Sequence, residues 1–223
     1  MPLNTLFVTF INLPTFPLFL LYLAVTVSYS KWRRIIKALE LELPLLMHNF
    51  CCIALSLLTT ILFAYCLLFQ TNSLYERRTW PLLSTTFQIY SFSKCFELLD
   101  TVFMMLRQKS RQISFLHLYH HSLMVLLSDL TRQFFAWPCV AVILTLNSAV
   151  HVVVYSYYFQ SARGQVVGRF KRFVTEIQIA QFVFALLFHV PGLLWHGFCL
   201  YGLVFYVTMI GLFGNFYYRA YLS

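Results

Sequence analysis

Three histidines within five positions, His117, His120 and His121, form the densest group of reactive side chains in this sequence. At helical spacing i, i+3 and i+4 their imidazoles share one face. Such a group could bind a metal ion, or simply hold helices together by hydrogen bonding. It could also do acid, base or nucleophilic chemistry, since imidazole serves in all three roles near neutral pH. The other histidines, His48, His151, His189 and His196, form no second box, so no metal site is expected.

Three further polar groups lie nearby in sequence. Lys94, Glu97 and Asp100, followed by Thr101, fall at i, i+3 and i+6. That ladder would make buried charge tolerable, and it could also orient the histidines from behind. Asn147, His151, Tyr155 and Tyr158 are spaced by four, four and three and so line one helical face. Interhelical hydrogen bonding would explain most of that stripe, but His151 is the one ionisable group in its apolar stretch. Thr175, Gln178 and Gln181 repeat at threes. Arg107, Lys109 and Arg172 stand in or beside connectors, where they either mark orientation or bind phosphates.

The elements that must carry these groups follow from composition. Of 223 residues, 60% are hydrophobic and only 10% charged, far from the balance of a soluble domain. Seven apolar stretches, at about 3–28, 44–69, 81–106, 115–131, 134–160, 173–192 and 198–217, match the roughly 20 residues a membrane helix needs. The expected fold is therefore an all-α integral membrane protein with seven transmembrane helices. Pro14 and Pro17 should kink the first. The six cysteines, Cys51, Cys52, Cys66, Cys95, Cys139 and Cys199, show no C-x-x-C spacing and read as small buried hydrophobes.

Twelve of the sixteen Lys and Arg residues fall on one side of these stretches. Cytoplasmic connectors keep such an excess, which puts the N-terminus outside or lumenal and the C-terminus in the cytosol. The net charge of +9, so distributed, suits a membrane surface and an anionic cytosolic substrate, not nucleic acid. With this orientation the polar stripes fall in the cytosolic half, and the lumenal half is expected to be almost wholly apolar. A transporter fits that map poorly, because it lacks a polar exit path.

The segment KCFELLDTVFMMLRQK at 94–109 resembles the K-x-x-E-x-x-D-T-x-F signature of the ELO family of very-long-chain fatty acid elongases. HLYHH at 117–121 is similar to that family's histidine box, and NSAVHVVVYSYYF at 147–159 to its N-x-x-x-H-x-x-x-Y-x-Y-Y segment. TEIQIAQF at 175–182 and LFGNFYYRAY at 212–221 resemble the remaining two motifs. The likeness covers residues 81–221, while 1–80 diverge. Val154 stands where the family pattern has Met, and Gln108 where it has a basic residue.

The resemblance implies one transmembrane domain over residues 1–223, with helices two to seven ringing an acyl tunnel open to the cytosol. It implies condensation of acyl-CoA with malonyl-CoA to 3-oxoacyl-CoA, CoA and carbon dioxide, with no cofactor beyond the two thioesters. His117 would be the nucleophile, forming an acyl-imidazole. His120, His121 and His151 would hold or relay protons, with Asn147 and Tyr155 sharing the oxyanion. Lys94, Glu97, Asp100, Tyr158, Thr175, Gln178 and Gln181 would support the site, and Arg107, Lys109 and Arg172 would hold CoA phosphates. The expected setting is the endoplasmic reticulum membrane, with lipid as solvent and a second copy or other elongation-cycle enzymes as candidate partners. Two other classes remain open: a histidine-box two-metal desaturase or hydroxylase, and a non-enzymatic lipid-binding protein or transporter.

Overall fold

The computed structural model describes residues 8–165, 168–197 and 200–223, which are helical with no strand among them. The helices are α1 (Phe16–Trp32), α2 (Glu42–Phe69), α3 (Pro81–Phe96), α4 (Leu99–Leu106), α5 (Phe115–Phe134), α6 (Pro138–Ala162), α7 (Gly168–His196) and α8 (Leu200–Tyr221). Among the described residues, α2, α6, α7 and α8 are long and apolar enough to cross a membrane. Burial is inverted relative to a soluble protein. Leu57, Leu58, Ile61, Leu68, Leu187, Leu194, Val204 and Val207 are exposed, while Lys94, Glu97, Asp100 and Asp129 are buried. Lipid is the solvent that makes both halves of that pattern favourable. The chain is thus a multi-pass membrane protein.

Two expected helices differ from the observed ones. The first stretch is not one kinked helix from residue 3 to 28. Residues 3–7 lie outside those described, a helical turn at 8–11 stops, and α1 starts at Phe16 beyond a turn. Pro14 lies in the turn between the two helical pieces, and Pro17 stands in the first turn of α1, where a missing N–H costs no helical bond, so one helix stops and another starts. The stretch 81–106 is likewise two helices. Between α3 and α4 the backbone tightens, with Leu98 N–H donating to Cys95 O at 3.2 Å and Asp100 N–H to Glu97 O at 3.1 Å. These i→i+3 bonds are the 3₁₀ geometry that often marks a working site inside a helix. Residues 198 and 199, including Cys199, lie outside the described range, while Cys52, Cys66 and Cys139 are buried as expected.

The described chain forms two compact units. The first comprises Met1–Leu41 and Ser84–Ala136. There α1 packs on α5, and Tyr22, Leu98 and Val125 form a core flanked by Leu18, Leu23, Cys95 and Leu118. Asp129, only 1% exposed, fastens this unit. It accepts from Thr15 N at 3.2 Å, Thr15 Oγ1 at 2.9 Å, Arg132 Nε at 3.1 Å and Gln133 Nε2 at 3.1 Å. A buried carboxylate thus stands near the C-terminal end of α5, at the opposite end of the helix from His117. At the other end, Leu39 N–H donates to Leu106 O at 3.0 Å, and Gln108, at φ +53°, donates to the carbonyls of Arg33 and Ile36.

The second unit comprises Glu42–Leu83 and Trp137–Ser223. Here α2 lies along α6, α6 along α7 and α7 along α8. Val150, Val154 and Val174 make an apolar cluster with Phe170 and Ile177 at its edge. The 70–80 connector is tied to the end of α7. Tyr75 stacks on the His196 ring at 4.1 Å, and the Arg77 guanidinium caps the His196 carbonyl while lying 5.4 Å over Trp137. A cation at a helix C-terminus satisfies an orphan carbonyl and opposes the helix dipole. Gly197 makes this possible, with φ +65° and a hypothetical Cβ 2.5 Å from Arg77 Nη2. Gly197→Ala is expected to lose about 1–3 kcal/mol of stability, read as a lowered melting temperature in detergent, whereas Gly168→Ala, with open space around it, should not.

Candidate active site

In the first unit the histidine group is built by a helix start. Ser114 is the N-cap of α5, its Oγ accepting from His117 N–H at 3.2 Å. That cap fixes where the helix begins and puts His117 in its first turn. The expected shared face is present: the His117 and His121 rings lie 4.3 Å apart between centroids, and those of His120 and His121 5.3 Å apart and perpendicular. His120 and His121 are buried.

His117 is also held from the neighbouring helix. Thr101 Oγ1 on α4 lies 2.8 Å from His117 Nε2, and Tyr22 OH on α1 lies 2.9 Å from Thr101 Oγ1. Three helices therefore converge on one imidazole. Thr101 was visible in the sequence beside Asp100, but Tyr22 was not: it is one of fourteen tyrosines, and only tertiary packing singles it out.

The Lys94–Glu97 pair is realised as an ion pair at 2.7 Å, each side chain 2% exposed. Lys94 Nζ also sits 4.9 Å over the Tyr90 ring, which adds cation–π attraction in a dry setting. Glu97 stands at the α3–α4 break, so the pair and the tightened backbone coincide. Asp100 is buried in the first turn of α4. Among the described residues, no three His, Cys, Asp or Glu side chains gather as a metal-ligand set.

The second unit holds the other predicted stripe. Asn147, His151 and Tyr155 are buried on α6, and Tyr158 surfaces at the end of the same face. The His151 and Tyr155 rings lie 5.8 Å apart, and Tyr155 and Tyr158 5.7 Å apart and perpendicular. His48 on α2 adds a ring edge-on to Tyr155 at 6.3 Å. On α7, Thr175 and Gln181 are buried and Gln178 is half-buried. Thr175 Oγ1 lies 3.2 Å from Tyr221 OH of α8.

The three basic residues differ in their surroundings. Lys109 is exposed and Arg107 half-buried just after α4. Arg172 is engaged: its Nε donates to Glu176 Oε1 at 2.8 Å, Tyr217 OH donates to the same oxygen at 2.7 Å, and the guanidinium lies 5.5 Å over the Tyr217 ring. A phosphate at Arg172 would have to compete with a carboxylate already in place.

The family model described as ELO, GNS1/SUR4 family, matches residues 11–223. Very long chain fatty acid elongase 4 of Homo sapiens is 31% identical over 229 residues, covering 93% of this chain and 71% of that protein. Very long chain fatty acid elongase 7 of Rattus norvegicus is 35% identical over 144 residues, covering 60% of this chain and 51% of that protein. Very long chain fatty acid elongase F of Drosophila simulans is 40% identical over 105 residues, covering 44% of this chain and 40% of that protein. The family match takes in residues 11–80, where the quoted motifs are lacking. On the extent of that match and these relatives, the chain belongs to the ELO family.

Proposed function

We propose that this protein is a fatty acid elongase that condenses acyl-CoA with malonyl-CoA. The observation that carries the reading is His117, seated in the first turn of α5, clamped by Thr101 and packed against a second imidazole. In this family the relatives carry elongase names, which supplies the substrate class. The finer architecture belongs to the same proposal: seven spans, the second to seventh around an acyl tunnel, in one domain of an endoplasmic reticulum membrane protein with a lumenal N-terminus.

A neutral imidazole with a lone pair on one nitrogen attacks the thioester carbonyl of acyl-CoA. The Thr101 contact ties this to the tautomer. When Nε2–H donates to Thr101, whose hydroxyl then donates to Tyr22, Nδ1 holds the lone pair. The carbon–sulfur bond breaks, and the proton lost from the acylated ring goes to the CoA thiolate. An acyl-imidazole remains, which splits one hard condensation into two easier steps.

Malonyl-CoA then loses carbon dioxide, and the resulting enolate carbon attacks the acyl carbonyl. The carbon–nitrogen bond breaks, 3-oxoacyl-CoA leaves, and the ring regains a proton from solvent. Overall one proton is consumed, and no reagent beyond the two thioesters is needed. The positive end of α5 favours the oxyanion that forms at each attack. His120 and His121 are proposed to relay the protons, while His151, Asn147 and Tyr155 donate to oxyanions and Tyr158, Thr175, Gln178 and Gln181 support them. Glu97 and Asp100 fix imidazole tautomers or, for Glu97, neutralise Lys94. Arg107 and Lys109 are better phosphate candidates than the engaged Arg172.

The covalent step is tested by incubating purified protein with acyl-CoA alone. The expected result is a mass increase of one acyl group on the intact chain with release of one equivalent of CoA. An unmodified chain that nonetheless turns over once malonyl-CoA is added would remove the acyl-imidazole.

A further inference from the structure

Asn49 is 1% exposed, and neither its Oδ1 nor its Nδ2 has a hydrogen-bond partner among the described residues. A buried amide with both ends unfilled is rare enough to demand a reason, and a catalytic or binding role is one. Its place in the second unit suggests what fills it. Along α2 the residues Asn49, Cys52, Ser56, Thr59, Phe63 and Cys66 are buried at alternating threes and fours. That row faces α6, because Thr59 Oγ1 donates to Ser148 Oγ at 3.0 Å. Next to Asn49, His48 meets the Tyr155 ring, which lies between those of His151 and Tyr158. Asn49 therefore stands in the α6-facing row at the level of the stripe given a role in condensation.

The chemistry of the unfilled atoms selects a ligand. A carboxamide offers two donors at Nδ2 and an acceptor at Oδ1. A thioester carbonyl or a carboxylate would satisfy Nδ2 alone, and hydrocarbon would satisfy neither. A secondary amide offers both a carbonyl and an N–H in the right relation to pair with each end. The pantetheine arm of a CoA thioester carries two such amides. We propose that Asn49 binds one secondary amide of the pantetheine arm of the acyl-CoA primer, with Nδ2 donating to its carbonyl and Oδ1 accepting from its N–H. This rests on the condensation reading above.

The test compares wild type and N49L on acyl-CoA primers whose pantetheine amides are replaced one at a time by esters, which keep the carbonyl and lose the N–H. Malonyl-CoA is kept native and saturating. On the native primer, N49L is expected to raise KM about tenfold, the loss of a buried hydrogen-bonded contact. On one of the two esters that gap should shrink by about threefold, since the wild type has already lost the bond to Oδ1. N49L should melt at or above the wild-type temperature, because an apolar side chain replaces an orphaned amide. N49A, which only removes atoms, should show the same convergence on the same ester. An equal penalty on the native primer and both esters, in both variants, overturns the contact while leaving the condensation reading intact. A wild type that makes no 3-oxoacyl product from any primer overturns that reading and the contact with it.

Discussion

His117→Ala is expected to lower condensation by about 10³-fold or more, the scale on which removing a nucleophile is felt when binding is left in place. The informative comparison is His117→Gln. A glutamine amide can reach Thr101 Oγ1 as Nε2 does, so it preserves the 2.8 Å contact and the link to Tyr22. If the histidine only ties α4 to α5, the glutamine variant keeps its activity and its melting temperature. If it attacks the thioester, the glutamine variant is as inactive as the alanine variant while melting like the wild type. Thr101→Val should fall between, because the nucleophile remains but its tautomer is no longer set. Turnover measured with saturating malonyl-CoA, beside a melting curve in detergent, separates these outcomes.

The second large effect is on stability. Lys94 and Glu97 are each 2% exposed and meet at 2.7 Å, so deleting one partner removes half of an ion pair from a dry interior. Lys94→Met or Glu97→Leu alone is expected to cost about 3–5 kcal/mol, about 6–20 °C in melting temperature for a chain of this size. The double variant should recover most of that, because desolvating the pair nearly cancels its attraction. Loss of turnover in a double variant that still melts like the wild type would give the pair a role in orienting the site beyond charge balance. Single variants that melt within a degree of the wild type would mean that water reaches the pair.

What the sequence shows and what it hides follow different physics. The spans of α2, α6, α7 and α8 were legible because lipid demands long apolar runs. The histidine face was legible because helical spacing alone sets it. The α3–α4 break was not: residues 97 and 98 are Glu and Leu, with no Gly or Pro nearby to announce a change, and the tightened turn arises where a buried ion pair is accommodated. Pro14 and Pro17 located the disruption in the first stretch but not its severity. Asp129 stands at the end of an apolar run, where a charge calls for partners. Its partner Thr15 comes from 114 positions earlier, a contact that local pattern cannot show. Tyr22 and Asn49 were hidden for the same reason, one among many aromatics and the other an amide in an apolar helix.

The most direct measurement is a condensation assay on the purified protein or its microsomes, using malonyl-CoA labelled at its methylene carbon and acyl-CoA primers of graded length. The expected result is a labelled 3-oxoacyl-CoA two carbons longer than the primer, formed with one carbon dioxide per product and absent in His117→Ala. No labelled 3-oxoacyl product with any primer, from a preparation that is folded by its melting curve, would contradict the assignment of this chain as a condensing elongase.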